Sequence, residues 1–108
     1  MRRKNLFVKI YEYHIKKEKE AFFLEIQDKT VQLYNQYLSC EVMYLKSIDD
    51  ETLWLEISKY YSEEEYLNGI RKINNNPVIV ELFGQFESCL VPDKGIKERD
   101  FRVQNKFR

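Results

Sequence analysis

The chain of 108 residues is poor in the residue types that build irregular loops, metal centres and disulfide frameworks. Three glycines and two prolines argue against long irregular loops. The two cysteines, Cys40 and Cys89, lack the close spacing of a metal-binding pair, and His14 is the single histidine. No glycine-rich phosphate loop and no nucleophile motif is present. The sequence therefore predicts two reduced thiols and no bound metal or cofactor.

An excess of charge of either sign is also absent. Lysine and arginine number 18, as do aspartate and glutamate, so the formal net charge is zero and gives no general attraction to nucleic acid or anionic membrane. No segment approaches the ~20 apolar residues of a membrane span. The basic N-terminal start is not a signal peptide, because polar residues interrupt its apolar run and no cleavage site follows. We expect one cytoplasmic domain, residues 1–108, that binds neither nucleic acid nor membrane.

Residues 53–66, LWLEISKYYSEEEY, are the most informative part of the chain. Their first half alternates between two kinds of side chain with the period of a β-strand. Ser62 and Glu65 then have the S-x-x-E spacing of a helix capping box, and Tyr61 is placed to pack forward onto Tyr66. The segment therefore predicts a strand that runs into a helix through a short turn.

The same patterns predict seven elements along the chain. Strands are expected at residues 6–15, 40–48, 52–61 and 99–107, where side chains alternate between two faces. Helices are expected at residues 18–38, from residue 62 to a break at 74–77, and at 77–90, where apolar residues recur every three or four positions. The order β-α-β-β-α-α-β predicts an α+β, ferredoxin-like domain, in which helices cover one face of a four-stranded antiparallel sheet.

The two faces of this predicted sheet differ in character. We expect the aliphatic set to face the helices: Leu6, Val8, Ile10, Leu53, Leu55 and Ile57. The other face then carries five aromatic side chains: Phe7, Tyr11, Tyr13, Trp54 and Tyr60. Lys9, Glu56 and Ser58 lie between them on the same face. Such a patch exceeds the few hundred Å² usual on a monomer, and at about 25 cal/mol per Å² its burial is worth several kcal/mol.

This exposed face predicts a homodimer in which two sheets face each other and close into a barrel. The opposite assignment stays open: the aromatic set would then lie under the helices and the aliphatic face would be exposed. A partner for the uncovered face is expected in either case.

Three segments carry a resemblance to a known family: FVKIYEYHIKKEKEAF at the start, EVMYL in the middle, and WLEISKYYSEEEY at the strand-to-helix junction. Residues 6–107 resemble, in the order of their elements, the antibiotic biosynthesis monooxygenase-like families of the dimeric α+β barrel superfamily. The resemblance implies a dimer of ferredoxin-like subunits with a pocket between sheet and helices. Members include cofactor-independent oxygenases of polyketide quinols, haem-degrading enzymes and proteins without an assigned activity.

The haem-degrading branch of this family uses an asparagine on the first strand, and a tryptophan and a histidine on the second helical segment. The positions in this chain that match them are Tyr11, Gly69 and Ile79. None of the three residue types is present, and the resemblance therefore disfavours haem degradation.

His14 and Glu56 are the candidate catalytic residues. His14 is the single histidine, and histidine is the residue type whose ordinary pKa lies near neutrality. Strand parity, however, points His14 away from Tyr11 and Tyr13, so a surface histidine without a catalytic role stays open. Glu56 lies two residues from Trp54 on the same strand face and would have a raised pKa if desolvated. Its alternative role is a cross-strand ion pair with Lys9.

Four aromatic residues are the candidate pocket lining: Tyr11, Tyr13, Trp54 and Tyr60. Aromatic walls with a few polar groups suit a flat apolar ligand, although the same rings could simply fill a dimer core. The leading hypothesis is a homodimer that binds a small apolar or aromatic molecule and oxidises it without a cofactor. The alternative is a non-catalytic dimeric ligand-binding or interaction module. An open cavity of a few hundred Å³ beside Glu56 or His14 would favour the first, and a filled barrel the second.

Overall fold

The computed structural model of the protein describes residues 6–107 and has the predicted order of elements. The strands are β1 (Phe7–His14), β2 (Cys40–Lys46), β3 (Leu53–Tyr60) and β4 (Lys97–Arg102). The α-helices are α1 (Glu20–Tyr34), α2 (Glu63–Asn74) and α3 (Pro77–Glu87), and a short 3-10 turn (Lys17–Lys19) precedes α1. Each predicted element is present, with ends that differ by a few residues. No helix within residues 6–107 is long and apolar enough to cross a membrane.

The four strands form one antiparallel sheet in the order β2-β3-β1-β4. The two long strands, β1 and β3, are therefore central, and the shorter β2 and β4 are the edges. This topology, with three helices, is the ferredoxin-like α+β fold that the sequence predicts.

The junction between β3 and α2 forms as predicted at Ser62, but not at Glu65. The Ser62 hydroxyl accepts a hydrogen bond from the Glu65 backbone N–H at 3.1 Å, which caps the first turn of α2. The Glu65 carboxylate, however, accepts from the Ser39 N–H at 2.8 Å instead of returning to the cap. The predicted reciprocal capping box is therefore only half formed, and Glu65 ties α2 to the segment after α1.

The aromatic contact at this junction also differs from the prediction. Tyr66 packs against Tyr60, with ring centres 4.6 Å apart, and against Phe7 at 5.4 Å, whereas Tyr61 is more than half exposed. Tyr60 belongs to the inward-facing row of β3 and so meets the helix that follows it. The break between α2 and α3 is as predicted: Pro77 is the first residue of α3, and Asn76 Oδ1 accepts from the Val78 N–H at 2.9 Å.

The two sheet faces are the reverse of the leading expectation. Tyr13 and Trp54 lie beneath the helices, where they are 1% and 6% exposed. The aliphatic residues lie on the uncovered face, with Met43, Leu45 and Phe101 each more than 40% exposed. Burying the aromatic set under the helices removes more apolar area per side chain from water than burying the aliphatic set, which accounts for the reversal.

Two core clusters fill the space between sheet and helices. The first centres on Phe23 of α1, which is fully buried and whose ring centre lies 5.1 Å from that of Trp54 and 5.8 Å from that of Tyr13. The second comprises Phe7, Leu38, Cys40, Tyr60 and Ile73. Ile79 of α3 packs against both clusters.

Lys9 is buried on the helix-facing side although it carries a charge. Its Nζ lies 2.7 Å from Glu98 Oε2 and 2.7 Å from Asp100 Oδ1, both on β4, and 5.1 Å from the centre of the Tyr66 ring. Burial lowers the pKa of Lys9, but the hydrogen bonds to Asp100 and Glu98 outweigh burial and the net pKa is raised. Lys9 thus pairs with the edge strand, and the alternative pairing with Glu56 is not formed.

Candidate functional site

A cavity of about 650 Å³ opens between the sheet and the helices. This volume is within the range of small-molecule sites. All three helices and three of the strands contribute to its wall, which is mostly apolar and aromatic. The lining residues outside the sheet include Gln27, Thr30, Tyr34, Asn74, Ile79, Val80, Leu82, Phe83, Phe86 and Ile96.

Strand register builds the floor of the cavity from one row across the sheet. Tyr11 of β1 is paired directly with Glu56 of β3 on one side and with Glu98 of β4 on the other. Tyr44 of β2 continues the row beyond Glu56. Because residues paired across an antiparallel sheet share a face, all four project toward the helices. The cavity lining includes Tyr11, Glu56 and Glu98, so a phenol stands between two carboxylates.

Hydrogen-bond donors from β1 and from α1 hold the Glu56 carboxylate in place. Its Oε1 accepts hydrogen bonds from the Tyr13 hydroxyl at 2.6 Å and from Gln27 Nε2 at 3.0 Å. The Ser58 hydroxyl lies 3.5 Å from Oε2, longer than a usual O–H···O hydrogen bond. Oε2 therefore keeps acceptor capacity for a bound molecule.

Burial raises the pKa of Glu56, and the hydrogen bonds from Tyr13 and Gln27, together with the longer contact from Ser58, only partly oppose the effect. A carboxyl group whose pKa moves toward neutrality can exchange a proton with a ligand more readily than an ordinary surface glutamate. A buried carboxyl group on the wall of a cavity is the arrangement that general acid–base catalysis uses.

Gln27 is the contact to Glu56 that the sequence interpretation missed. It is buried on α1, a helix whose inner face the sequence pattern predicts from apolar residues alone. The signal was its position four residues after Phe23, which places the two side chains on the same helix face. A polar residue within an apolar stripe therefore marked the helix side of the site.

Two phenols in the cavity have hydroxyl groups without a hydrogen-bond partner among residues 6–107: Tyr11 and Tyr34. Burial raises the pKa of each above that of a free tyrosine. Both therefore stay protonated at neutral pH and can donate a hydrogen bond to a ligand. The Tyr13 hydroxyl, whose pKa is also raised by burial, already donates its hydrogen bond to Glu56.

The four aromatic residues predicted to line a pocket divide into two pairs. Tyr11 and Tyr13 line the cavity. Trp54 belongs to the first core cluster and Tyr60 to the second, and neither is part of the cavity wall.

The structure does not bring His14 together with Glu56. His14 lies near the end of β1 with its side chain on the opposite sheet face, as strand parity predicts. Its Nδ1 is 2.9 Å from the Thr52 hydroxyl and 3.9 Å from Asp50 Oδ2. The described part of the chain also contains no cluster of three or more histidine, cysteine or acidic residues that could hold a metal ion.

No protein-family model matches the sequence, and no curated protein matches it. Solved structures with the same fold are nevertheless numerous. A conserved protein from Methanosarcina mazei Go1 superposes with a TM-score of 0.72 at 15% identity, and the match covers 93% of this chain and 94% of that one.

Two further matches come from proteins named for oxygenase chemistry. SnoaB, a cofactor-independent oxygenase from Streptomyces nogalater, superposes with a TM-score of 0.71 at 8% identity, covering 94% of this chain and 96% of that one. A candidate antibiotic biosynthesis monooxygenase from Nitrosomonas europaea gives a TM-score of 0.71 at 12% identity, covering 96% of this chain and 95% of that one. The resemblance to the antibiotic biosynthesis monooxygenase-like proteins is thus confirmed at the level of structure, and this chain has their fold.

Proposed function

We propose that the cavity binds a small, flat, largely apolar molecule with a phenolic hydroxyl group, and that the protein oxidises this molecule with dioxygen and no cofactor. The observation that carries the proposal is the buried Glu56 carboxyl group on the wall of an open 650 Å³ cavity. An open cavity beside Glu56 is the feature that separates a binding site from a barrel filled by its own side chains. The fold shared with a cofactor-independent oxygenase supports the proposal.

Glu56 acts in this proposal as the general base. Its Oε2, which the Ser58 hydroxyl approaches only to 3.5 Å, takes the proton of a phenolic hydroxyl group, and this leaves a resonance-stabilised substrate anion. The apolar wall contributed by Leu82, Phe83 and Phe86 excludes water from the anion, and the hydroxyls of Tyr11 and Tyr34 donate hydrogen bonds to its oxygen.

Dioxygen is the oxidant, and the reaction balances without another reagent. The substrate anion transfers its electrons to dioxygen, a carbon–oxygen bond forms, and the oxygen–oxygen bond then breaks. One oxygen atom stays on the ring and the other leaves as water, so a quinol gives a hydroxyquinone. The C–H bond at the attacked ring carbon also breaks, and the departing oxygen leaves as water with that proton and the proton that Glu56 returns, which restores the carboxylate.

We also propose that two copies of the chain pair through the uncovered sheet face. Leu6, Met43, Leu45 and Phe101 are each 40% or more exposed there, beside half-buried aliphatic residues of β1 and β3. Exposed apolar side chains grouped on one face are typical of protein–protein interfaces, and a second copy covers this face by two-fold symmetry. The dimer therefore rests on the aliphatic face, and the cavity opens on the other side of the sheet.

A ligand screen read by thermal shift tests the proposed function. Quinols and flavonoids should raise the melting temperature by mass action, whereas haem should not. Val80 lies on the cavity wall at an exposed position of α3, so the Val80→Trp substitution places a large side chain where the ligand would lie. It should abolish the ligand-induced rise in melting temperature. Val78→Trp, on the same helix and outside the cavity wall, is the matched control and should preserve it.

Two outcomes would contradict the proposed function. The first is that no quinol or flavonoid stabilises the protein. The second is that ligands stabilise the Val80→Trp and Val78→Trp variants equally, because binding would then occur outside the cavity. Binding in the cavity without oxygen uptake would favour the non-catalytic ligand-binding module.

A further inference from the structure

We infer that the cavity selects its ligand by charge, admitting neutral or cationic aromatic molecules and rejecting anionic ones, with Glu98 as the specificity-determining residue. This inference rests on the proposed function, because it names the class of molecule that the same cavity takes. It excludes carboxylated and phosphorylated aromatic compounds as substrates.

The charges on the cavity wall all have one sign. Glu56 and Glu98 line the cavity, and no lysine, arginine or histidine within residues 6–107 does so. An anionic ligand would lose its hydration on entry and find no cation to replace the lost water. A neutral phenol loses far less hydration, and finds acceptors in both carboxylates.

Lys9 is a cation that adjoins this site, and its ammonium group is already paired with two carboxylates. Its ammonium group lies 2.7 Å from both Glu98 and Asp100, so the group of three side chains keeps a net charge of −1. Lys9 is also buried, with its ammonium over the Tyr66 ring, which fixes it in this arrangement. A ligand anion could recruit Lys9 only by displacing a carboxylate.

The spacing of the strands that carry Glu56 and Glu98 indicates the shape of the preferred ligand. Glu56 and Glu98 flank Tyr11 on its two neighbouring strands, so their backbones are about 10 Å apart, twice the spacing between adjacent strands. That separation suits a fused-ring molecule with a hydrogen-bond donor at each end. One donor would meet Oε2 of Glu56 and the other would meet Glu98 near the rim.

Three probes with one ring system separate charge from shape. They are 2,6-dihydroxynaphthalene, which is neutral, 6-hydroxy-2-naphthoic acid, which is anionic at pH 7.5, and 6-(aminomethyl)-2-naphthol, which is cationic. Their dissociation constants are measured by calorimetry on the full chain. The acid should bind at least about tenfold more weakly than the diol, because its carboxylate would take the place of a donor beside Glu56 or Glu98 and be repelled by it in a partly buried site. The amine should bind at least as tightly as the diol.

The Glu98→Gln substitution tests the assignment to one residue. Glu98 is half exposed and Lys9 keeps Asp100, so the variant should fold. It should lower the ratio of the dissociation constant of the acid to that of the diol severalfold, because the charge that repels the acid is removed. The control is Glu41→Gln, which removes the same charge from an exposed position on the opposite face of the sheet. It should leave the dissociation constants of the acid and the diol unchanged.

The outcomes distinguish this inference from the proposed function. Equal affinity for all three probes, or tighter binding of the acid, would overturn charge selection while leaving the binding site intact. Unchanged discrimination in Glu98→Gln would overturn the role of Glu98. If none of the three probes binds, the proposed function fails and charge selection fails with it.

Discussion

The Tyr13 hydroxyl donates a 2.6 Å hydrogen bond to Oε1 of Glu56, and both side chains lie on the cavity wall. Gln27 donates to the same oxygen from α1 at 3.0 Å. Both donors meet one carboxylate oxygen, so the orientation of Glu56 is fixed from the strand side and from the helix side while its second oxygen keeps acceptor capacity.

The Glu56→Gln substitution should change how the stability of the protein depends on pH. The folded-state pKa of Glu56 is raised by burial, so the wild type is favoured below the unfolded-state pKa of about 4.3 and loses stability as the pH rises through the folded-state value. Glutamine does not titrate and can still accept from Tyr13. The variant should therefore gain stability relative to the wild type as the pH rises above about 4.3, as measured by urea unfolding from pH 5 to pH 8.

The control for this experiment is Glu41→Gln, which removes an exposed carboxylate. Its stability should follow the wild-type pH profile closely. A pH-independent difference between Glu56→Gln and the wild type would mean that the pKa of Glu56 is not raised by folding.

Gly69 and Gly84 should respond in opposite directions to replacement by alanine. A Cβ atom on Gly69 of α2 would lie 2.7 Å from Cδ2 and 3.0 Å from Cβ of Leu38, so Gly69→Ala requires α2 or Leu38, in the segment after α1, to shift. The cost of such overpacking is typically about 1–3 kcal/mol, which outweighs the gain in helix propensity.

Nothing lies within 4 Å of a Cβ atom on Gly84 of α3, so Gly84→Ala should stabilise the protein by up to about 1 kcal/mol. Denaturant unfolding of both variants checks the pair. A stabilised Gly69→Ala would show that the close approach of α2 to Leu38 is absent.

The proposed dimer predicts a different response from two exposed leucines. Leu45 lies on the uncovered sheet face at edge strand β2, and Leu24 lies on α1; they are 41% and 42% exposed. Leu45→Lys introduces a charge into the proposed interface and should weaken the dimer at least about tenfold. Leu24→Lys should leave it unchanged.

Sedimentation equilibrium at micromolar concentration measures this directly. A wild-type protein that sediments as a monomer under these conditions would end the dimer proposal. Equal weakening by Leu45→Lys and Leu24→Lys would place the interface elsewhere.

The order of elements could be predicted from the sequence, but the orientation of the sheet could not. Alternation along β1 and β3 separates an aliphatic from an aromatic set, yet both sets are apolar enough to be buried. The buried position of Lys9 adds to the ambiguity, because its partners Glu98 and Asp100 lie about ninety residues away in the sequence. Burial under the helices was decided by packing against Phe23 and Phe86, contacts that no local pattern contains.

The candidate site could be predicted only in part, because some of its contacts also join elements that are distant in the sequence. Glu56 was identified from its aromatic neighbour on one strand face, and the register then placed it beside Tyr11. Gln27 and Glu98 were missed because they reach the cavity from other elements. Their contribution depends on helix packing and on the pairing of the last strand, which are properties of the whole fold.

Quinol-dependent oxygen uptake by the wild type and by Glu56→Gln tests whether Glu56 is the general base of an oxygenase, with Glu41→Gln as the control for lost charge. A positioned general base typically contributes a factor of about 10² or more to the rate. We expect uptake by the wild type and by Glu41→Gln, and at least about a hundredfold slower uptake by Glu56→Gln with quinol affinity retained. Oxygen uptake by Glu56→Gln at the wild-type rate would contradict the role of Glu56 as the base.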